Sequence, residues 1–513
     1  MSAAAIAGAV ERPVNPWFIA PVVALAAFME VMDISIANVS LPHIAGDLSA
    51  SQDESTWVLT SYLVTNAIVM PISGWLSNRF GRKNFFLFCI AGFTTSSLLC
   101  GLAPNLATLI LLRAFQGATG GGLQPAGQAI LADSFPPEKR GMATAIYGIS
   151  AIFAPTIGPT LGGWITDSFD WRWIFLINVP VGVVLFLLVS SLIREPKVAR
   201  ATSFGVDWWG FSLVALSLGC LQVVMDRGQQ DDWFGSAFIT ALTIMSVAAF
   251  AFLIWRELTT EHPMVDLRLL SNTDFAVSFV LMLMLGFMLL GSTYLVPAYV
   301  QSQMGYRAVD SGRLLTPGGL ATIVMLPLVG RAVGKVDLRI LVAIGMVICA
   351  GSLLWMTNFY LGVSFKVIML ARMVQGAGIA FLFIPINTMA FRSVPPHKIN
   401  DASALVNLAR NFGGSIGISF ASTILTRRSQ FHQSRLVEGL HNLNPNYVDY
   451  ANQIGDPGST ATLGNVYQTA VTQAQVLSYL DAFFAVGLLF LALLPFLLLV
   501  KPGKGGGAVG VGH

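Results

Sequence analysis

The chain has 513 residues, 55% of them hydrophobic and only 11% charged, whereas a soluble protein carries about 25% charged residues. So few charges cannot cover the surface of a soluble chain of this length, and we predict an all-α, polytopic membrane protein. The net charge of +3 comes from scattered residues without a basic stripe, which argues against a nucleic-acid partner and for a lipid bilayer. The four cysteines lie singly in apolar runs, so neither a zinc site nor a disulfide framework is expected.

Fourteen apolar stretches are long enough to cross about 30 Å of hydrocarbon as helices. They lie near 17–40, 56–77, 85–103, 106–131, 141–163, 172–193, 208–226, 235–255, 275–303, 312–332, 338–357, 365–389, 402–426 and 479–500. An even number places both termini on one side of the membrane, and the loops on that side carry most of the Lys and Arg residues. Positively charged loops stay in the cytoplasm, so both termini are predicted to be cytoplasmic.

An internal repeat divides the chain into two halves. Residues Arg113, Gln116, Gly117, Pro136 and Lys139 recur, 259 positions later, as Arg372, Gln375, Gly376, Pro395 and Lys398. A constant offset through two helices and a loop indicates duplication. We predict two six-helix halves, 1–200 and 261–500, with two inserted helices in 201–260, a long extracytoplasmic loop at 427–478 and a flexible Gly-rich cytoplasmic tail at 501–513. Parallel halves of this kind are typical of secondary transporters.

A basic loop joins the second and third predicted helices. Its residues Gly74, Asn78, Arg79, Gly81 and Arg82 permit a tight turn and hold the loop at the cytoplasmic face. A generic basic loop would need only the cations, but the glycine spacing resembles the signature loop G-x-L-a-D-r-x-G-r-k of the major facilitator superfamily. Asn78 stands where that pattern has Asp, so the ion pair of that acid is not carried over.

Three charged residues lie inside the first and fourth predicted helices. Asp33 and Arg113 each lie about seven residues from the extracytoplasmic end of their predicted helices. At 1.5 Å per residue, both side chains are therefore at the same depth in the membrane. Glu30 lies on the same helix face as Asp33. Burial favours the protonated carboxyl and a nearby arginine favours the charged form. This balance suits a group that gains and loses a proton, and a static ion pair is the alternative. Arg372 and Arg410 are further intramembrane charges.

Two motifs around these charges resemble those of drug exporters. The run from Met32 to Pro42 resembles the signature L-D-x-T-I-v-N-V-A-L-P of fourteen-helix drug:proton antiporters. The run from Arg113 to Gly117 resembles the superfamily motif R-x-x-q-G, which is linked to proton coupling. The resemblance implies that Asp33, Glu30 and Arg113 serve proton coupling.

The fifth predicted helix is rich in proline and glycine, with Pro155, Gly158, Pro159, Gly162 and Gly163. Prolines bend a membrane helix and glycines let a neighbour approach, so a packing kink is the alternative interpretation. The full G-P-x-x-G-G arrangement resembles the antiporter motif of exporters in the superfamily, which its importers generally lack. The resemblance therefore implies export.

Nearly the whole chain resembles the EmrB/QacA family of multidrug exporters, and its long loop and Gly-rich end are closer to the EmrB branch. The resemblance implies a proton-driven multidrug efflux antiporter for hydrophobic, drug-like compounds in a cell inner membrane. It also implies an EmrA-type periplasmic adaptor and a TolC-type outer-membrane channel as partners. The sequence has no P-loop, so we expect no cofactor and a proton gradient as the energy source.

Substrate is expected in a central cavity between the halves, lined by apolar groups with a few polar ones. Candidates by position are Tyr62, Asn66, Gln116, Gln124, Tyr294 and Tyr299. Two alternatives stay open: a proton-coupled importer or exporter of one metabolite or siderophore, and a membrane-embedded enzyme. The enzyme is disfavoured because all six histidines lie in predicted loops or tails.

Overall fold

The computed structural model describes residues 15–193, 207–261, 263–392, 394–395, 398–441, 444–455 and 459–503. Every regular element in these ranges is a helix, so the predicted all-α class is confirmed. The predicted domain boundary at 200/201 and positions 504–513 of the predicted tail lie outside the described residues.

The N-terminal half and the inserted pair form the first eleven α-helices. In chain order they are α1 (Pro16–Asp47), α2 (Gln52–Ser55), α3 (Trp57–Phe80), α4 (Arg82–Gly101), α5 (Leu106–Gly120), α6 (Leu123–Ser134), α7 (Pro137–Ser168), α8 (Trp173–Leu176), α9 (Asn178–Leu192), α10 (Trp208–Arg227) and α11 (Ala237–Thr259). Polar residues cap several of these starts, for example Asn105 before α5 and Ser236 before α11, because their side chains accept from otherwise unpaired backbone N–H groups.

The C-terminal half follows a short 3-10 turn at Leu267–Ser271. Its helices are α12 (Thr273–Met304), α13 (Ala308–Ala332), α14 (Leu338–Met356), α15 (Phe365–Arg392), α16 (Ile399–Glu438), α17 (Pro445–Ile454) and α18 (Thr460–Leu491), with a last 3-10 turn at Leu494–Leu499. We call the end of the bundle at which α1 begins the terminal side, and the opposite end the far side.

All fourteen predicted spans contain a helix, so the predicted architecture of two six-helix halves and an inserted pair is confirmed. Eleven described helices are long and apolar enough to cross a bilayer, or twelve when the bent α7 is counted. The other two predicted spans are 106–131, which corresponds to α5 with α6, and 402–426, which lies in α16.

Neither span is a single apolar helix, and the reason differs between the two. The first is divided between Gly120 and Leu123, and a Cβ on Gly121 would lie only 2.7 Å from the Asn66 carbonyl oxygen of α3. The second, α16, carries Ser403, Asn407 and Arg410, which are all buried inside the protein. A polar face can cross a membrane when it packs against protein rather than lipid.

The duplication is visible in how helices approach one another. A Cβ on Gly117 of α5 would overlap the Tyr62 carbonyl of α3, and a Cβ on the duplicate Gly376 of α15 would overlap the Gly318 carbonyl of α13. Glycine at both positions lets the paired helices touch backbone to backbone. The two halves therefore share one packing scheme.

The segment between the last two predicted spans, which we predicted as a long loop at 427–478, contains helices in its described part. Helix α16 continues to Glu438, α17 follows it, and α18 begins at Thr460. Tyr447 and Ala451 of α17 pack on Val466 of α18 in a small separate core. Apolar residues at helical spacing make these helices amphipathic, so the described part of this segment is mostly helical. We call α17, the last turns of α16 and the first turns of α18 the far-side hairpin.

The inserted helix α10 lies beside both halves. On the N-terminal side, Thr60 of α3 donates to Asp226, and the Arg227 guanidinium lies 5.0 Å from the Trp57 ring. On the C-terminal side, Gln222 Nε2 donates to Ser415 Oγ of α16 over 3.0 Å. The insertion is thus joined to the helices of both halves by polar contacts.

Candidate functional site

A buried ion pair joins α1 to α5. Arg113 Nη1 donates to Asp33 Oδ2 over 2.5 Å, and the two residues are only 0% and 2% exposed. Removing two charges from water costs several kcal/mol per ion unless attraction and hydrogen bonds offset it. The two charges that the sequence put at one depth are therefore in direct contact.

Two amides and a hydroxyl complete the surroundings of this carboxylate. Gln116 Nε2 and Asn178 Nδ2 both donate to Asp33 Oδ1, over 3.1 and 2.7 Å. Each amide also donates to Ser97 Oγ, over 3.2 and 3.1 Å. Asp33, Ser97, Arg113, Gln116 and Asn178 form what we call the Asp33 cluster. With Arg113, these donors give the carboxylate three hydrogen bonds.

Sequence reasoning missed Asn178 and Ser97. Asn178 is an isolated polar residue at the start of α9, and Ser97 is the last of four consecutive hydroxyl residues within α4. The only available signal was general: a polar side chain in a membrane helix has to find a partner in the protein. Nothing in the spacing along the chain indicated that the partner is Asp33.

The Arg113 side chain is also fixed by contacts with α3. Its Nε donates to the Val58 carbonyl over 3.2 Å, and its guanidinium carbon lies 4.3 Å from the centre of the Tyr62 ring. A cation over an aromatic face is attracted by the ring quadrupole. Tyr62, a predicted substrate residue, therefore lies against the guanidinium in this conformation.

Glu30 belongs to a second group, which we call the Glu30 network: Glu30, Asn66, Gln124 and Arg410. Asn66 Nδ2 donates to Glu30 Oε1 over 3.0 Å, and the Gln124 side chain lies beside the same carboxyl. Gln124 Oε1 in turn accepts from Arg410 Nη2 of α16. The network therefore crosses from the N-terminal half to the C-terminal half.

The C-terminal half repeats the Asp33 cluster without its acid. Arg372 Nη1 donates to Ser292 Oγ over 3.1 Å and to Gln375 Oε1 over 2.5 Å, and Gln375 Nε2 donates to Ser292 Oγ over 3.1 Å. Ser292 is at the position that the repeat pairs with Asp33. A hydroxyl cannot release a proton at physiological pH, so this copy holds an arginine without a carboxylate.

The proline and glycine motif joins the bend of α7 to α1. Helix α7 bends by 46° close to Pro155. Pro159 has no N–H to donate to the Pro155 carbonyl four residues earlier, and Ser35 Oγ donates to that carbonyl instead, over 3.2 Å. Gly158 faces Ser35 so closely that a Cβ would overlap it.

The other motif glycines differ in how much they matter for this packing. A Cβ on Gly162 would lie 3.0 Å from the Ile36 carbonyl oxygen, whereas a Cβ on Gly163 would meet only a Val39 methyl at 3.9 Å. The bend thus rests on the helix that carries Asp33, through Gly158 and Gly162.

The basic loop motif lies on the terminal side. Gly81 has a φ of 89° between α3 and α4, a conformation that favours glycine, and a Cβ on Gly74 would lie 2.5 Å from Asp401 Oδ1 of α16. Asn78 accepts a hydrogen bond from Asn400 of α16, and Arg82 pairs with Asp133 of α6. Arg79 lies over the Trp75 ring at 5.5 Å.

The six predicted substrate residues do not form one open surface in this conformation. Gln116 belongs to the Asp33 cluster, while Asn66 and Gln124 belong to the Glu30 network. On α12, Tyr299 is buried 5.4 Å from Tyr479, whereas Tyr294 is 37% exposed. Five of the six are therefore closed off, and ligand could reach them only after the helices move.

Comparison with known proteins gives a consistent result. Residues 23–418 match the family model described as Major Facilitator Superfamily. The chain is 37% identical to the multidrug export protein EmrB of Escherichia coli (strain K12), over 95% of this chain and 96% of that protein. It is 35% identical to the fatty acid resistance protein FarB of Neisseria gonorrhoeae, over 93% and 94% of the two chains.

A solved structure shows a similar fold. The crystal structure of the human organic anion transporter MFSD10 (TETRAN) superposes with a TM-score of 0.59 at 14% identity, covering 95% of this chain and 99% of that one.

Proposed function

This chain belongs to the major facilitator superfamily and, within it, to the EmrB-type multidrug exporters, and we propose that it exchanges hydrophobic drugs for protons. A transporter of this family moves its substrate by alternating access of two halves. The single observation that carries the proton-coupled reaction is the buried Asp33 cluster, in which one carboxylate is held by three donors.

The cluster has two states that differ by one proton. When Asp33 is charged, Arg113, Gln116 and Asn178 hold it and the two formal charges cancel. When a proton binds, the carboxyl loses its charge and one of its acceptor sites, and the Arg113 guanidinium loses its counterion. An unpaired buried cation is unfavourable, so the cluster has to rearrange. Proton binding is thereby converted into a change of side-chain contacts.

Such a change can reach the helix contacts between the halves. Ser35 lies two residues after Asp33 on α1 and is hydrogen bonded to the bend of α7. Helix α7 in turn packs on α13 of the other half, where Gly312 faces Thr160. We infer that movement of α1 alters the α7 bend and rocks one half against the other.

The substrates are proposed to be hydrophobic, drug-like compounds. The names of the relatives, a multidrug export protein and a fatty acid resistance protein, agree with an apolar cargo. Tyr62, Asn66, Gln116, Gln124, Tyr294 and Tyr299 remain the proposed contacts, to be reached when the halves separate. Four of these six residues lie in the N-terminal half, which also holds Asp33. Drug binding and proton binding would therefore compete there, and this competition is how an antiporter couples its two fluxes.

The proposed setting is the cell inner membrane, with the terminal side in the cytoplasm. The basic residues of the terminal-side loops support this orientation. The far-side hairpin then lies in the periplasm, where an EmrA-type adaptor and a TolC-type outer-membrane channel would complete a tripartite pump.

Substitution of Asp33 tests the proposed exchange. Inside-out vesicles that contain the protein should lose an imposed pH gradient when ethidium is added, because each exported drug is exchanged for protons. Asp33→Asn should lower this response at least tenfold, which corresponds to about 1.4 kcal/mol or more. A buried acid of the inserted pair, Glu257 of α11, provides the matched control, and Glu257→Gln should keep the response. Normal exchange by Asp33→Asn would contradict the proposal.

A further inference from the structure

Polar contacts join the two halves on the terminal side. Gln128 Oε1 of α6 accepts from Ser403 Oγ and Asn407 Nδ2 of α16, over 3.2 and 2.8 Å. Nearer the end of the bundle, Asn400 of α16 donates to Asn78 of α3. We call these five residues the terminal-side contact. Hydrogen bonds between buried amides and hydroxyls hold two surfaces in register.

Arg410 continues this line of contacts toward the middle of the membrane. It follows Asn407 by three residues on α16 and so lies on the same helix face. It is 7% exposed, its Nη2 donates to Gln124 of α6, and the ionisable side chains near it are Glu30 and Tyr147. The carboxylate in this set is thus Glu30 of the opposite half. The Gln124 amide lies between the two side chains.

Glu30 is the acid at the other end of this connection. It is fully buried, Asn66 donates to its carboxyl, and Gln124, which accepts from Arg410, lies beside it. The titratable and charged side chains that act on it come from five helices, namely Asp33 on α1, Tyr62 on α3, Cys89 on α4, Tyr147 on α7 and Arg410 on α16. Arg410 is the cation of this set, and it belongs to the other half.

We propose that Arg410 is a positioning residue that couples the charge of Glu30, through Gln124, to closure of the terminal-side contact. When Glu30 is ionised, it attracts the guanidinium and draws α16 against α6. When Glu30 binds a proton, the attraction ends and the buried Arg410 is left without a counterion. The terminal-side contact then loosens and the halves separate on that side.

Loosening of the terminal-side contact on protonation of Glu30 has the direction that the transport cycle requires. The inference rests on the proposed proton-driven export. A proton that binds from the far side would weaken the terminal-side contact and return the transporter to the state open toward the cytoplasm. Release of the proton to the cytoplasm would restore the attraction between Glu30 and Arg410. The terminal-side contact would then close after drug has bound. The Glu30 network would thus govern the return step, separately from the Asp33 cluster.

A distance between two spin labels measures this closure without any transport. Asn84 of α4 and Lys335 after α13 are exposed residues on the terminal side of opposite halves, and the four native cysteines are buried. Cysteines at these two positions can be labelled in the full-length protein in lipid nanodiscs. In the wild-type background, the label distance should increase between about pH 8 and about pH 5.5, the range over which a buried carboxyl can titrate.

Four variants separate a charge connection from a general packing role. Glu30→Gln should give the long distance at both pH values. Arg410→Gln should reduce the pH-dependent change in label distance at least threefold. Arg410→Lys should keep part of this change because the positive charge remains. Gln124→Leu should weaken the change although the charges of Glu30 and Arg410 are both present. Arg372→Gln is the matched control because Arg372 is an equally buried arginine of the same half that binds Ser292 and Gln375. It should keep the full change.

The possible outcomes are distinguishable. A full pH response in Arg410→Gln, or an equal loss in Arg372→Gln, would overturn the inference. If size-exclusion chromatography shows that Arg410→Gln does not fold, the test rests on Arg410→Lys and Gln124→Leu. Full pH responses in both of these variants would overturn the inference. Absence of drug:proton exchange by a wild-type protein whose label distance still responds to pH would contradict the proposed function instead.

Discussion

At the scale of single residues, the asymmetry between the two halves is the most informative feature. Both halves hold an arginine and a glutamine in the same arrangement, but Asp33 in one is replaced by Ser292 in the other. A duplicated framework thus keeps one ionisable acid. The arginine of the N-terminal half should therefore be far more sensitive to substitution than its duplicate.

Replacement of Arg113 tests this sensitivity. Arg113→Lys keeps a cation near Asp33 but loses the fork that reaches Val58 and Gln116 at once, so partial efflux is expected. Arg113→Ala leaves the buried carboxylate unpaired and should reduce efflux more than tenfold, or about 1.4 kcal/mol. The initial rate of ethidium efflux from cells, corrected for the amount of protein in the membrane, measures both.

The duplicate supplies the comparison. Arg372→Ala removes an arginine that binds Ser292 and Gln375 but no acid, so its efflux rate should exceed that of Arg113→Ala. Equal activity of Arg113→Lys and Arg113→Ala would indicate a packing role instead of an electrostatic one.

Some of these residues could be predicted from the sequence and others could not, for a physical reason. Asp33, Glu30 and Arg113 could be singled out because charges inside apolar helices are costly and rare. Asn178, Ser97 and the Arg410–Gln124 contact depend on which helices meet in space. Neither hydropathy nor the repeat contains that information.

At the scale of helices, glycine determines how closely the elements approach. The bend of α7 rests on α1 through Gly158 and Gly162, while Gly117 and Gly376 bring equivalent helix pairs into backbone contact. Periodicity predicted that these helices exist. It did not predict the break after Gly120 or the extension of α16 to Glu438, because the break lies at a close contact with α3 and the extension consists mostly of polar, partly exposed residues.

Alanine at the two repeated glycines should destabilise the protein. Gly117→Ala and Gly376→Ala each add a methyl group that overlaps a backbone carbonyl, and overpacking of this kind costs about 1–3 kcal/mol. Thermal unfolding of the purified protein in detergent should show a lower midpoint for both.

Gly351 of α14 is the matched control, because a Cβ there meets no atom within 4 Å. Gly351→Ala should leave the midpoint unchanged or raise it slightly, since alanine favours a helix over glycine. Midpoints of Gly117→Ala and Gly376→Ala equal to that of Gly351→Ala would mean that the helices do not pack as described.

At the scale of the whole molecule, the far-side hairpin is a helical addition with a small core of its own. Arg428 and His432 of α16 both contact Asp481 of α18, at 2.5 and 2.7 Å. Beyond them the hairpin exposes apolar side chains, among them Tyr450, Ile454 and Leu463. An exposed apolar surface that is held in position by polar contacts is typical of a partner site.

Shortening the hairpin separates export from assembly. Replacing residues 440–466 by a Gly/Ser linker of about eight residues removes α17 and leaves Arg428, His432 and Asp481 in place. Drug:proton exchange in vesicles should be unchanged, whereas drug resistance of whole cells and co-purification of an EmrA-type adaptor should be lost. Normal co-purification by the shortened protein would assign the adaptor contact to another surface.

The central claim is that drug and proton exclude one another through the Asp33 cluster. The most direct measurement is the release of protons when ethidium binds to the purified protein in weakly buffered detergent solution, where no gradient is present. The account predicts a release by the wild-type protein that saturates with drug binding, and none by Asp33→Asn, although Asp33→Asn still binds the drug. Proton release of equal size from Asp33→Asn would contradict the claim.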